Sequence, residues 1–157
     1  LFEQNTKHMS YAISGASLSA LSLIDPAMSL EIADSLLSTA KNAQEKSIKT
    51  VYANHGGADK MDYFVNLLET ESNYALFSTT GLYVDFLKNQ EISTTIKGMD
   101  ALEKLSVEAT SWMVWVSERL LQEMKVYFEA ELKNHKDKEV KNQIKAQVER
   151  INGLLSL

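Results

Sequence analysis

Between residues 99 and 127 the apolar side chains Met99, Leu102, Leu105, Ala109, Trp112, Val116, Leu120, Met124 and Tyr127 recur at intervals of three and four. That spacing stacks them on one face of an α-helix, whereas the period of two in a strand would scatter them over both faces of a sheet. A second stripe of Met113, Leu121, Phe128 and Leu132 broadens the apolar face. Only one proline and six glycines interrupt 157 residues. So few chain breakers favour long helices over a turn-rich β fold. The expected fold is all-α: one domain spanning residues 1–157, an up-and-down bundle of four to five helices with one long helix near 95–134.

The remaining segments fit this expectation. From Met9 to Ile24 the chain carries no charge, and Ala12, Ala16 and Ala20 form a row of small residues against which a second helix can pack closely. Asp25 followed by Pro26 reads as an N-cap with proline at the first helical position. The helix it starts has a core stripe of Leu30, Ala33, Leu37, Ala40, Ile48 and Val51. Asn54 to Gly57 (NHGG) supplies residues that tolerate positive φ and ends that helix. A third begins near Asp59 and Asp62, with a stripe of Met61, Phe64 or Val65, Leu68, Ala75, Leu82 and Phe86. Ser78 to Gly81 is poor helix material, so a kink is expected there, the alternative being an unbroken helix with Gly81 at a tight crossing. Ser93 to Thr95 is positioned to cap the long helix. Lys133 to Glu139 (KNHKDKE) holds no apolar residue. An unbroken helix through it would run about 90 Å at 1.5 Å per residue, so a break with Asp137 as a new N-cap is the preferred reading.

The net charge of −5 and pI near 5.2 argue against a nucleic-acid grip, which needs clustered Lys and Arg. The whole excess lies in residues 51–121, where acids outnumber bases. Zero cysteines remove thiolate nucleophiles, disulfides and Cys-based zinc sites. The three histidines, His8, His55 and His135, stand at polar junctions without the Glu-x-x-His pair of helical metal sites. Glu131 and His135, four apart, read as a surface pair. The serines of the first helix lack GxSxG and read as close-packing residues, and no glycine-rich phosphate loop is present. Glu69 and Glu71 fall on different helix faces. The expectation is a non-catalytic chain with no cofactor and no bound metal.

Trp112 to Val116 (WMVWV) covers the full circumference of a helix with apolar side chains. Such a turn needs wrapping on every side, and so does the uncharged first helix. One bundle of this size buries one such helix comfortably, not two. Trp112 and Trp115 share a side, with Arg119 one turn on and able to stack on a ring. The candidate interaction residues are therefore Trp112, Trp115, Arg119, Ile13, Leu18 and Leu21, and the expected partner is a second copy of the chain or another protein. The leading functional expectation is a bundle working through protein contacts in bacterial extracytoplasmic sensing or secretion machinery. The compartment is inferred from the missing initiator methionine and the absent cysteine. The alternative is a ligand-sensing helical ectodomain of a membrane receptor. A membrane-active bundle that inserts its first helix is third, since 16 uncharged residues are short for a span. No segment reaches the roughly 20 apolar residues of a membrane-crossing helix, so membrane association is expected only through flanking segments that have been removed. A sensor requires a pocket between helices with a few convergent polar groups; an assembly protein requires an exposed apolar patch.

Overall fold

The computed structural model describes residues 1–108 and 112–156. Among these, every regular element is helical: α1 (Phe2–Asn5), α2 (Tyr11–Ser22), α3 (Pro26–Leu36), α4 (Ala43–His55), α5 (Met61–Thr70), α6 (Asn73–Lys88), α7 (Ile92–Glu108), α8 (Trp112–Asn134) and α9 (Lys138–Leu154), with a 3-10 turn at Ala58–Lys60. The all-α expectation holds. The expected count of four to five helices does not, because nine are present among the described residues. The long helix expected near 95–134 is represented by α7 and α8, and the positions between them, including Ala109 of the core stripe, lie outside the described residues.

The chain forms two compact units, Leu1–Lys60 and Met61 onward. In the first, α2 packs against α4, α3 and α1. The close approach of α2 to α4 uses Gly15, where a Cβ would stand 2.6 Å from the Ala43 carbonyl oxygen. The buried face is Ser14, Gly15, Ser17, Leu18, Leu21 and Ser22, while Ala12 and Ala16 face solvent. The close-packing role thus belongs to glycine and serine, not to the alanine row. Serine fits because its hydroxyl satisfies itself locally or across the contact. Ser14 Oγ donates to the Thr6 carbonyl and accepts from Gln44 Nε2 at 2.6 Å, and Ser19 Oγ donates to Ser47 Oγ at 3.0 Å.

Asp25 caps α3 as expected, accepting from Met28 N at 3.0 Å. The helix then stops at Leu36 instead of running on to Val51. Before α4, Asn42 takes φ 53° and ψ −121°, a positive-φ conformation in which the chain turns. Asn54 to Gly57 ends α4, but without positive φ. Gly56 is extended, at φ −67°, and its N–H donates to the Tyr52 carbonyl at 2.9 Å. Glycine is needed for space: a Cβ would lie 2.6 Å from Tyr52 O and 2.9 Å from Lys60 Cγ.

In the second unit α8 packs against α9, α6 and α7, and α7 also meets α9, α6 and α5. Phe64, Tyr83 and Phe86 form its aromatic centre, with Phe64 and Phe86 ring centroids 5.0 Å apart. The chain breaks at Glu71–Ser72, while α6 runs unbroken through Ser78 to Gly81. Thr80 Oγ1 donates to the Phe77 carbonyl, and Thr79 Oγ1 to the Glu71 carboxylate. The hydroxyls expected to disrupt the helix are thereby satisfied, one within it and one by the carboxylate just before it. Gly81 meets nothing within 4 Å of a built Cβ, so no tight crossing forms there. Ser93 to Thr95 lie within the first turn of α7 and do not cap it; Thr95 is buried and donates to the Leu87 carbonyl at 2.7 Å. Asp137 is the N-cap of α9, accepting from Glu139 N and Val140 N.

Candidate functional site

Helices α5 and α7 run in the same direction on one side of α6: Met61 meets Gly98 near one end, and Glu69 reaches Lys104 toward the other. The face that α7 turns toward α5 carries Gly98 and Ala101 before Leu105, at the helical spacing of three and four. Gly98 lets the helices approach closely, since a Cβ there would stand 3.0 Å from Met61 Cε; one turn on, Ala101 is too small to fill the space between them. What remains is a groove of about 570 Å³, walled by Met61, Val65 and Leu68 from α5 and by Ala101 and Leu105 from α7. That volume is within the range of small-molecule sites.

Tyr83 of α6 reaches the groove from the core. Its hydroxyl donates to the Gly98 carbonyl at 2.8 Å and lies 3.1 Å from Met61 Sδ. Burial, reinforced by the negative charge of Asp100, raises the phenol well above its ordinary value, so it remains a neutral donor. The charged rim comprises Glu69, Lys97, Asp100, Lys104 and Glu108. Lys104 Nζ bonds Glu69 Oε1 at 2.9 Å, joining the two walls. That bond, with the charges of Glu69 and Glu108, holds the ammonium above its usual range. Asp100 is 3.2 Å from Arg150 Nη2 of α9. Lys97 is exposed, and no carboxylate lies within ion-pair distance of it among the described residues.

The apolar turn singled out in the sequence is wrapped on one side only. Met113 and Val116 are buried, whereas Val114 is 40% exposed and Trp115 65% exposed. Val107, at the end of α7, is 69% exposed and shares with Val114, Leu121 and Leu154 a shallow depression of about 210 Å³. Arg119 is exposed one turn beyond Trp115 on α8. The side chain of Trp112 lies outside what is described. In the first unit Ile13 is exposed, while Leu18 and Leu21 belong to the core. Of the residues singled out in the sequence, Trp115 and Arg119 are exposed; Val107 and the groove were not singled out. The Gly98, Ala101, Leu105 spacing was the available signal, and it was submerged in the broader apolar stripe of the same helix.

His135 Nε2 pairs with Glu131 Oε2 at 3.2 Å, the expected surface pair. Among the described residues no three His, Cys, Asp or Glu side chains gather as a metal site would require, and no helix is long and apolar enough to cross a membrane. Comparison of the chain with protein-family models, with curated proteins and with solved structures finds no match.

Proposed function

We propose that this is a non-catalytic helical protein that works through protein–protein contacts and self-associates, the bundle α5 to α9 carrying the contact surface. The observation that supports this most is the exposure of Trp115, with Val114 and Val107 also exposed. A tryptophan costs most to leave in water, and tryptophan and arginine are the residues that anchor interfaces. Here Trp115 has Arg119 one turn away on α8, and its chain neighbour Val114 lines a depression together with Val107. A role in extracytoplasmic sensing or secretion machinery is the setting we propose for such a bundle.

Light scattering across a concentration series tests the reading. The expected result is a mass that rises with concentration in the native chain and stays monomeric in the Trp115→Ser variant. A native chain that remains monomeric at the highest concentration overturns it.

A second reading, ligand sensing by a helical ectodomain, is favoured by a different observation: the α5–α7 groove combines apolar walls with a charged rim in a volume suited to a small molecule.

A further inference from the structure

We infer that the outward face of α2 lies on a lipid bilayer, its axis in the plane of the interface, so that membrane contact comes from the folded first unit itself and not from flanking segments.

Three observations carry it. The first is that the polarity of α2 is turned inside out. Its buried face includes Ser14, Gly15, Ser17 and Ser22 beside Leu18 and Leu21. On the opposite side Ala12, Ile13, Ala16, Ala20 and Leu23 fall within an arc of about 100° at 3.6 residues per turn. Ala20 is half-buried and the other four are exposed, Leu23 by 86%; Ile24, which follows, is 67% exposed. The polar side that a free amphipathic helix shows to water is here turned toward the protein. The second observation is chemical. No charged residue occurs from Met9 to Ile24, and Ser19, the polar residue at the edge of this face, spends its hydroxyl hydrogen on Ser47. Protein interfaces carry about one hydrogen bond per 100 to 200 Å² and a polar rim. A face of alanine, isoleucine and leucine offers a protein partner neither, and alkyl chains ask for neither. The third is area. The 12 residues of α2 present a strip about 18 Å long and 10 Å wide. A stable interface buries about 800 Å² on each partner, so this strip does not hold a second copy by itself. Interfacial binding instead scales with whatever apolar area enters the acyl boundary. A helix this short does not cross a bilayer, so it lies on one.

Flotation of the full chain with vesicles tests the inference. Vesicles of phosphatidylcholine alone, and of phosphatidylcholine with an equal part of phosphatidylglycerol, should carry the chain to the same extent, because the face has no charge. The double variant Leu23→Ser with Ile24→Ser should partition at least about tenfold more weakly, since each leucine or isoleucine buried is worth more than that factor. Ile13→Asp should abolish flotation, and Trp115→Ser, in the other unit, should float like the parent. The replaced side chains are exposed, so an unchanged circular dichroism spectrum is expected of each variant. Absence of flotation with either vesicle would overturn the inference. So would flotation with the phosphatidylglycerol vesicles alone, which is electrostatic attachment by another surface. Flotation that persists in both α2 variants would overturn the location. Concentration-dependent mass that is lost in the Leu23→Ser, Ile24→Ser variant, with vesicle binding unaltered, would give the face to a second copy and overturn the lipid assignment.

Discussion

A Cβ placed on Gly98 of α7 would stand 2.2 Å from Leu87 Cδ2 of α6 and 2.9 Å from the Tyr83 hydroxyl. Alanine there must push Leu87 or separate the helices, and it disturbs the hydrogen bond from Tyr83 to the Gly98 carbonyl. Gly98→Ala is expected to cost about 1 to 3 kcal/mol, the usual range for overpacking. Gly81, in the middle of α6, faces open space. Gly81→Ala is expected to stabilise by about 0.5 to 1 kcal/mol through backbone entropy. Urea unfolding of the two variants beside the parent checks both signs, and the same sign for both would contradict this packing.

The contrast between these glycines shows where the sequence was readable. Asp25 before Pro26, and Asp137 after a polar run, were legible because an N-cap acts through its immediate neighbours. The interruptions at residues 37–42 and 71–72 were not, since neither contains Gly or Pro. One is turned by Asn42 in a positive-φ conformation, which only the fold selects. Ser78 to Gly81 misled in the opposite direction, because propensity counts the cost of threonine without the partner that its hydroxyl finds at Phe77 or Glu71. The apolar turn at 112–116 left open whether the fold or a partner wraps it, because burial is decided by which neighbours exist, and Trp115 stays 65% exposed. The groove was invisible for a related reason: Ala101 leaves a space only once α5 lies opposite it.

Glu103 of α7 is buried, accepting from Gln147 Nε2 at 2.7 Å and from Arg150 Nη2 of α9. Removing the cation leaves a buried carboxylate short of a donor, so Arg150→Met is expected to destabilise by about 1 to 3 kcal/mol. The double variant Glu103→Gln with Arg150→Met should recover most of that loss, because the neutral amide oxygen still accepts from Gln147 and no buried charge is left without its cation. Chemical denaturation of the two single variants and the double variant measures the coupling. Additive losses would show that the pair is not coupled.

In the first unit, Tyr52 Oη donates to Asp34 Oδ1 at 2.5 Å, and Lys60 Nζ lies 2.8 Å from the same oxygen and 4.9 Å from the centre of the Tyr52 ring. Burial pushes the Asp34 carboxyl up, but the hydrogen bonds from Lys60 and Tyr52, with the charge of Lys60, outweigh it and hold the group below the usual carboxylate range. A depressed carboxylate stabilises the fold above its unfolded pKa and loses that contribution as pH falls through the folded value. Lys60 is shifted upward: burial opposes its charge, and the Asp34 and Asp59 carboxylates more than restore it. Its contribution is present below the ordinary lysine value and fades as pH rises through the folded one. Asp34→Asn is therefore expected to lose stability at neutral pH and little under strongly acidic conditions. Thermal melts followed by tyrosine fluorescence at both pH values check this, and an equal loss at both would remove the electrostatic explanation.

The chain contains two tryptophans, so Trp112→Phe leaves Trp115 as the sole indole reporter. With 65% of its surface in water, Trp115 in the dilute variant should emit at long wavelength, like an indole in solvent, and acrylamide should quench it readily. If the surface that carries Trp115 associates, raising the protein concentration removes the ring from water. The emission then shifts to shorter wavelength and quenching falls, in step with the mass from light scattering. Salt separates the forces involved. An apolar contact persists when ionic strength is raised, whereas one dominated by Arg119 weakens because exposed charges are screened within about 10 Å at 0.1 M. The expected outcome is a concentration-dependent blue shift that survives 1 M sodium chloride. Emission that stays at long wavelength while the mass rises would place the contact surface away from Trp115 even though the chain associates.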